Sequence, residues 1–255
     1  MSEPNPPGKA EPAVEQVHSI GDFIALLANV GARDLVLFRG QPVDLPLLPK
    51  IGRPELGFLK EGKHVEESES RMLSSFRLQA QPFVTHHPAS DWEWLALAQH
   101  NGMATRLLDW SSNPLVALWF AVAEQPRHES AVVWGFAPSE HDLLLWDDPY
   151  GSYRDGGVRV FQPAHISPRI RAQAGYFTAH RPTPKDSRFT PLEKSEQHVK
   201  QLVKVVIHAS ARSGMRQRLN LFGVNEASIF PDLVGLSRHL SWLHSAELPG
   251  AGTSR

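Results

Sequence analysis

The sequence predicts an α+β protein of one domain, in which small mixed or antiparallel sheets are flanked by helices. Segments of helical and strand periodicity follow one another without the regular βαβ alternation of a doubly wound sheet. No internal repeat and no break in composition marks a boundary between domains within the 255 residues. The chain is 41% hydrophobic and contains 12 Phe and 7 Trp, which is enough apolar side chain for a buried core.

The N-terminal half is predicted to contain three helices and one buried strand. Residues 1–15 include four Pro and few apolar side chains, so they are expected to form a disordered leader. The short apolar run before Gly40 predicts a strand over Asp34–Arg39, and the three Pro of residues 45–54 predict an irregular connection. Apolar side chains recur at helical spacing in three segments: 19–30, 66–79 and 91–99.

The C-terminal half is predicted to begin with a helix at Asn113-Pro114. Asn supplies a side-chain oxygen as a cap, and Pro is tolerated at the first position because its missing N–H would have no partner there. Runs of β-branched and aromatic residues predict strands at 131–136, 158–161, 202–208 and 226–230. Two further helices are expected at 209–221 and 232–244, and a flexible tail is expected at 247–255.

Composition excludes several classes of protein. A net charge of −1, from 26 Lys and Arg against 27 Asp and Glu, argues against a generally basic nucleic-acid coat protein. The absence of Cys excludes disulfides, a thiolate nucleophile and a Cys-based metal site. The longest apolar runs, such as Leu115–Ala123, are too short to span a membrane and no signal-peptide pattern is visible, so a cytoplasmic protein is expected.

Common catalytic motifs are also missing. The sequence has no phosphate-binding Gly-rich loop, no dinucleotide-binding fingerprint after a strand and no Gly-x-Ser-x-Gly. Of the 13 His, the adjacent His86 and His87 would point to opposite faces of an extended segment, and no His-x-x-x-His pair has a neighbouring Glu on a helix. No metal site is therefore expected.

Positive charge is concentrated in the second half of the chain. Residues 156–185 and residues 197–225 each contain five Lys or Arg and no carboxylate. Residues 124–155 lean acidic instead. This segregation is explained either by solvated surfaces that differ in sign or by a cleft that favours an anionic ligand.

A few polar residues stand in apolar surroundings and are candidates for a functional site. Arg39 ends a predicted buried strand, Arg106 and Asp109 flank two leucines, and Glu226 opens a predicted strand. Each also has a structural interpretation. Arg106 and Asp109 could form a local ion pair, Asp109 could cap backbone N–H groups, and Glu226 could be the buried partner of Arg39.

Four motifs resemble those of the FRG-domain family, which is named for a Phe/Tyr-Arg-Gly sequence. The longest carries a Thr-Arg-Leu-Leu-Asp-Trp block followed by Asn-Pro. The resemblance predicts an FRG domain over residues 16–246. The motifs are Phe38-Arg39-Gly40-Gln41, His100-x-Gly102-x-x-Thr105-Arg106-Leu107-Leu108-Asp109-Trp110-Ser111-x-Asn113-Pro114, Arg169-x-x-x-Gln173-x-Gly175-x-Phe177 and Ile229-Phe230-Pro231-Asp232-Leu233-x-Gly235-Leu236.

The order of these residues also resembles the ADP-ribosyltransferase superfamily. Its members have Arg or His on a first core strand, a hydroxyl-bearing segment before a helix, and a Glu on a late strand. Arg39, residues 105–111 and Glu226 occur in that order. The resemblance implies an ADP-ribosyltransferase-like fold, NAD as substrate without a metal, and Glu226 and Arg39 as catalytic residues. The NAD-binding residues that it implies are Arg39, Thr105, Arg106, Asp109, Trp110, Ser111, Arg169, Gln173 and Phe177.

The function implied by the two resemblances is an NAD-consuming transferase or glycohydrolase that acts as a bacterial defence or toxin effector. Its partners would be NAD or another nucleotide and a nucleic-acid or protein acceptor. Val224 stands where arginine-modifying members carry Gln or Glu, so arginine is not the expected acceptor. Two alternatives remain: a module that senses a nucleotide or nucleic acid without turnover, and a metal-independent nuclease that uses His100 with Asp109 or Arg106.

Overall fold

A computed structural model describes residues 10–28, 35–58, 65–84, 87–124, 129–144, 157–163, 168–183 and 188–245. The strands of this part of the chain are β1 (Ala13–Val17), β2 (Leu37–Gln41), β3 (Leu107–Ser111), β4 (Ala131–Phe136), β5 (Val158–Phe161), β6 (Gly175–His180) and β7 (Leu202–Ile207). The α-helices are α1 (Ile20–Ala28), α2 (Val65–Ala80), α3 (Asp91–His100), α4 (Pro114–Val122), α5 (Pro168–Ala172), α6 (Arg212–Leu221), α7 (Glu226–Ile229) and α8 (Leu233–Leu243). Short 3₁₀ turns occur at 50–52, 54–56, 81–83, 140–142, 192–194, 199–201 and 209–211.

The strands form one sheet in the order β1-β7-β4-β2-β3-β6-β5, so the expectation of several small sheets is wrong. Neighbours are antiparallel except β1 and β7, which are parallel. The two halves of the sheet are joined at a single pair, Phe38 with Ser111, whereas β2 pairs with β4 and β3 pairs with β6 over five residues each. The sheet is therefore nearly split between β2 and β3, because only the first part of β2 contacts the end of β3.

The helices pack on one face of this sheet. The buried side chains of α1, α4 and α6 cover the apolar residues of β2, β4 and β7. Those of α2 and α3, including Trp92 and Trp94, cover β3, β5 and β6. On the opposite face Trp110, Trp134 and Phe136 are covered by connecting segments. The gap between β2 and β3 thus lies beneath the boundary between two helical layers.

Helix α4 begins as its sequence predicts. The Asn113 side chain accepts a hydrogen bond from Leu115 N at 2.9 Å, and Pro114 occupies the first turn. The helix crosses β2 at Gly40, where a Cβ atom would lie 1.8 Å from the Ala117 carbonyl oxygen. Gly40 is therefore required for the close approach of helix and strand.

Three strands fall outside the sequence-based expectations. β1 covers residues 13–15 of the predicted leader, because Ala13–Val17 pairs in parallel with β7. β3 and β6 were not predicted, since each carries polar residues that interrupt an apolar pattern. Residues 1–9 and 246–255, which include the rest of the predicted leader and the tail, lie outside the described residues.

The strand predicted over residues 226–230 is wrong, because Glu226–Ile229 is the short helix α7. Asn225 Oδ1 accepts from Ser228 N at 3.1 Å, and Ser228 Oγ accepts from Asn225 N at 3.0 Å. This reciprocal capping box starts a helical turn. Among the described residues, no helix combines the length and the apolar character that a membrane span requires.

Candidate functional site

A pocket of about 300 Å³ lies on the helical face of the sheet, at the gap between β2 and β3. Six of the ten predicted site residues line it: Arg39, Asp109, Trp110, Ser111, Arg169 and Gln173. The remaining wall is formed mainly by α4, by the last turn of α3 and by Phe230. Residues far apart in the sequence therefore meet at one concave surface.

Arg39 reaches across the gap from β2 to β3. Its Nη1 donates to the Asp109 carbonyl oxygen at 2.7 Å and lies 3.7 Å from Asp109 Oδ2. Burial lowers the pKa of Arg39, while the carboxylate of Asp109 opposes that effect and Arg53 adds to it. The Nε atom is buried and finds no hydrogen-bond acceptor among the residues that the structure describes. An unpaired buried donor costs about 1–3 kcal/mol.

Asp109 provides an accessible carboxylate in the same pocket. Its side chain is 59% exposed although its neighbours on β3 are buried. Gln99, at the end of α3, donates from Nε2 to Asp109 Oδ2 at 3.2 Å. Sequence reasoning missed Gln99, which precedes the long FRG-like motif by one residue and bears no recognisable signal of its own.

Arg169 is held at the pocket wall by the C-terminal motif. Its Nε donates to Asp232 Oδ2 at 2.7 Å, its Nη2 contacts the same oxygen, and its guanidinium lies over the Phe230 ring at 5.4 Å. Asp232 also caps α8, because its Oδ1 accepts from Gly235 N at 2.8 Å. The Gly235 backbone bond and the Arg169 side chain lower the pKa of Asp232. The Phe-Pro-Asp-x-x-Gly sequence thus joins a helix start to a pocket cation.

His100 lines the pocket from the end of α3 and is half-buried. Burial lowers the pKa of His100, the positive charge of Arg169 lowers it further, and Asp109 opposes both effects. The lowered pKa favours the neutral imidazole, which carries one unprotonated ring nitrogen.

Ser111 and Trp110 serve mainly to hold the pocket in shape. Ser111 Oγ donates to the Gln173 carbonyl oxygen at 2.7 Å and accepts from Asn113 N at 3.0 Å. The Trp110 ring is 3% exposed and packs against Phe136, so it presents no open face for stacking. Phe120 and Phe230 also line the pocket, and both of these aromatic side chains are only partly buried.

Four predicted site residues do not line the pocket. Thr105 and Phe177 are buried, and Phe177 stacks on Phe161 within the core. Arg106 is paired with Glu69, so its predicted phosphate contact is not available. Glu226 is 15% exposed and lies 3.6 Å from Arg238, because α7 turns it away from the gap between β2 and β3.

Three of the five Lys and Arg side chains of residues 197–225 contact other groups of the protein. Lys204 pairs with Asp44, and Arg216 lies over the Trp242 ring at 4.6 Å. Arg212 is buried and donates to the carbonyl oxygens of Pro42, Ala121, Glu124 and Glu129. These contacts give a structural role to Lys204, Arg212 and Arg216.

A larger cavity of about 690 Å³ between α2 and α3 contains none of the predicted site residues. Its walls are mostly apolar and include Met72, Phe76 and Leu97, and its polar lining consists of Arg71, Ser75, Gln79 and Asn101. In the described part of the chain, no three His, Asp or Glu side chains are grouped closely enough to hold a metal ion.

A buried chain of hydrogen-bonded side chains beneath the pocket predicts that the protein loses stability at low pH. Trp110 Nε1 donates to Thr178 Oγ1 at 2.9 Å, and Thr178 Oγ1 lies 2.9 Å from His180 Nε2. Burial lowers the pKa of His180 to about 3, with smaller contributions from His198 and Arg39. The neutral imidazole is therefore the form that shares a hydrogen bond with the Thr178 hydroxyl.

Between pH 6.5 and pH 3 the unfolded chain binds a proton at His180 that the folded protein does not bind, so stability falls as the pH is lowered. This group should remove about 2 kcal/mol of unfolding free energy between pH 7 and pH 5. Urea unfolding at both pH values measures the loss. The His180→Gln variant, which keeps an acceptor for Thr178, should lose correspondingly less, and an equal loss in both proteins would contradict the prediction.

Comparison with known proteins identifies part of the chain. No curated protein and no solved structure matches the sequence. A family model described as the FRG domain matches residues 34–130, which include Arg39, His100 and Asp109. Arg169, Gln173 and Phe230 complete the same pocket from outside the matched segment. Residues 34–130 of this protein are an FRG domain.

Proposed function

We propose that the pocket binds NAD and that the protein cleaves the nicotinamide–ribose bond, as an ADP-ribosyltransferase or an NAD glycohydrolase. The observation that carries the proposal is that the Arg39 guanidinium, a permanent cation, meets the accessible Asp109 carboxylate at the split in the sheet. An anion and a developing positive charge are the two features of NAD that such a pair would recognise. An NAD-consuming enzyme in the cytoplasm would suit an effector of bacterial defence.

The volume and walls of the pocket support a nucleotide as ligand. A volume of about 300 Å³ is at the lower end of the range for small-molecule sites, so the pocket suits the reacting end of a dinucleotide. Arg39 would hold a phosphate oxygen through charge-assisted hydrogen bonds. Phe120 and Phe230 would contact the flat base, and the Gln173 side chain lies nearby to bind hydroxyl groups.

The carboxylate in this proposal is Asp109 and not Glu226. Cleavage breaks the bond between ribose C1′ and the nicotinamide nitrogen, and the electron pair leaves with nicotinamide. C1′ passes through an oxocarbenium-like state, which an adjacent carboxylate stabilises, before the oxygen of water or of an acceptor hydroxyl bonds to it and releases its proton to solvent. Glu226 faces Arg238 outside the pocket, whereas Asp109 is exposed within it.

Nicotinamide release tests the proposal directly. We expect wild-type protein to release nicotinamide from NAD and Asp109→Asn to do so about 100-fold more slowly, because the neutral amide cannot stabilise the developing cation. Binding of NAD, measured by calorimetry, should change much less than the rate. Glu226→Gln is the matched control, since it alters a carboxylate outside the pocket and should retain wild-type release.

Two results would contradict the proposal. One is an Asp109→Asn variant as fast as wild type, and the other is the absence of release by wild type with water, nucleic acid and protein as acceptors. Binding of NAD without release would instead support the nucleotide-sensing alternative.

A further inference from the structure

A chain of hydrogen bonds leads from the backbone of β3 to the Asp109 carboxylate. Leu107 N donates to Thr105 Oγ1 at 3.1 Å. Thr105 Oγ1 donates to Gln99 Oε1 at 2.6 Å. Gln99 Nε2 then donates to Asp109 Oδ2 at 3.2 Å and lies 3.4 Å from the Leu107 carbonyl oxygen. The chain joins the last turn of α3 to one edge of the pocket.

The direction of these bonds follows from the number of protons available. A threonine hydroxyl has one proton, and its oxygen already accepts from Leu107 N, so the proton goes to Gln99 Oε1. The Gln99 amide is thereby held with its Nε2 toward Asp109, because the flipped amide would place Oε1 against a carboxylate oxygen. Thr105 is fully buried and cannot contact a ligand itself.

We propose that Gln99 is a positioning residue for Asp109 and that Thr105 acts through Gln99 to fix its amide. This inference rests on the proposed function, because it assigns the orientation of the carboxylate on which that function depends. Gln99 and Arg39 both lie near Oδ2. Within the described residues no hydrogen bond reaches Oδ1, so the geometry leaves that oxygen for the ligand.

The orientation matters because Asp109 is exposed. Its side chain would otherwise rotate freely, and a carboxylate that must meet a charge developing at one atom is most effective when it is held in place. Loss of the Gln99 bond should therefore reduce the rate of the chemical step more than the binding of NAD.

Three substitutions separate this role from simple support of the fold. Gln99→Met has a similar volume and removes both polar contacts. Thr105→Val has the shape of Thr and removes the proton that fixes the amide, whereas Thr105→Ser keeps that proton. Cooperative urea unfolding establishes that each variant is folded, and Gln99→Met carries the test if Thr105→Val does not fold.

The test compares kcat and KM for nicotinamide release by the full-length chain. We expect kcat to fall about tenfold in Gln99→Met and in Thr105→Val with KM within about twofold of wild type. Thr105→Ser should restore kcat. In an Asp109→Asn background, Gln99→Met should cause no further loss, because the group that it positions is no longer a carboxylate.

Other outcomes overturn the inference. A further loss in the double variant, a rise in KM with unchanged kcat, or a Thr105→Ser variant as slow as Thr105→Val would each leave the proposed function intact and remove the positioning role. Wild-type protein that releases no nicotinamide removes both.

Discussion

Replacing Glu69 by Ala is expected to lower the free energy of unfolding by about 3–5 kcal/mol, because it removes the buried carboxylate that pairs with the Arg106 guanidinium. Glu69 is fully buried and Arg106 is 5% exposed. Glu69 Oε1 accepts from Arg106 N at 2.6 Å, and Oε2 contacts Arg106 Nε. The pair attaches α2 to the start of β3, so the pocket edge formed by β3 depends on it. Urea unfolding at pH 7 measures the loss.

Glu66 provides a matched control on the same helix. Its carboxylate lies 3.6 Å from Arg106 Nη1 and 3.5 Å from Arg181 Nε, but its side chain is 45% exposed. Since exposed ion pairs contribute little, Glu66→Ala should cost about 1 kcal/mol or less. Similar losses for the two variants would show that burial of the Glu69–Arg106 pair does not determine its contribution.

Gly40→Ala is expected to destabilise the protein by about 3 kcal/mol or more, because overpacking at this contact forces α4 away from β2. The added Cβ would lie 1.8 Å from the Ala117 oxygen and 2.7 Å from Ala121 N, and backbone atoms cannot move aside as a flexible side chain can. Ala117 and Phe120 of α4 line the pocket, so ligand binding should weaken as well.

Gly135→Ala is the control for this substitution. Gly135 lies on β4, the strand next to β2, and pairs with Phe38. A Cβ at Gly135 would meet no atom closer than Phe38 Cε1 at 3.8 Å, an ordinary contact. We expect the melting temperature of Gly135→Ala to stay within a few degrees of wild type, which corresponds to a loss of about 1 kcal/mol or less in the free energy of unfolding. An equally stable Gly40→Ala variant would show that α4 is not seated on β2 as described.

The three residues of the Phe-Arg-Gly motif have three separate structural roles. Phe38 forms the single pair that joins the halves of the sheet and packs beneath α4. Arg39 reaches into the gap between those halves, and Gly40 allows α4 to lie close above it. This short motif thus supplies the pairing between the two halves of the sheet, the Arg39 cation of the pocket, and the close contact of α4, which forms one wall of the pocket.

Local signals accounted for much of the secondary structure. The cap at Asn113-Pro114 and the apolar runs of β4 and β5 are readable from neighbouring residues, and their bounds match the structure. β3 and β6 were missed because their strand character depends on pairing with each other across more than 60 residues. The helix at Glu226 begins with a capping box between Asn225 and Ser228, whereas the apolar residues that follow Glu226 favoured a strand.

The sequence by itself indicated the FRG domain that the family model matches over residues 34–130, an α+β fold, and the polar residues that stand among apolar ones. Only the tertiary structure decided which of those residues share a pocket. Asp109 and Glu226 are both carboxylates beside apolar residues, yet one opens onto the split in the sheet and the other faces Arg238. The physical reason is that a side chain's surroundings come from distant elements: the Arg238 partner of Glu226, the gap between β2 and β3, and the Gln99 amide beside Asp109 are set by packing that no local pattern records.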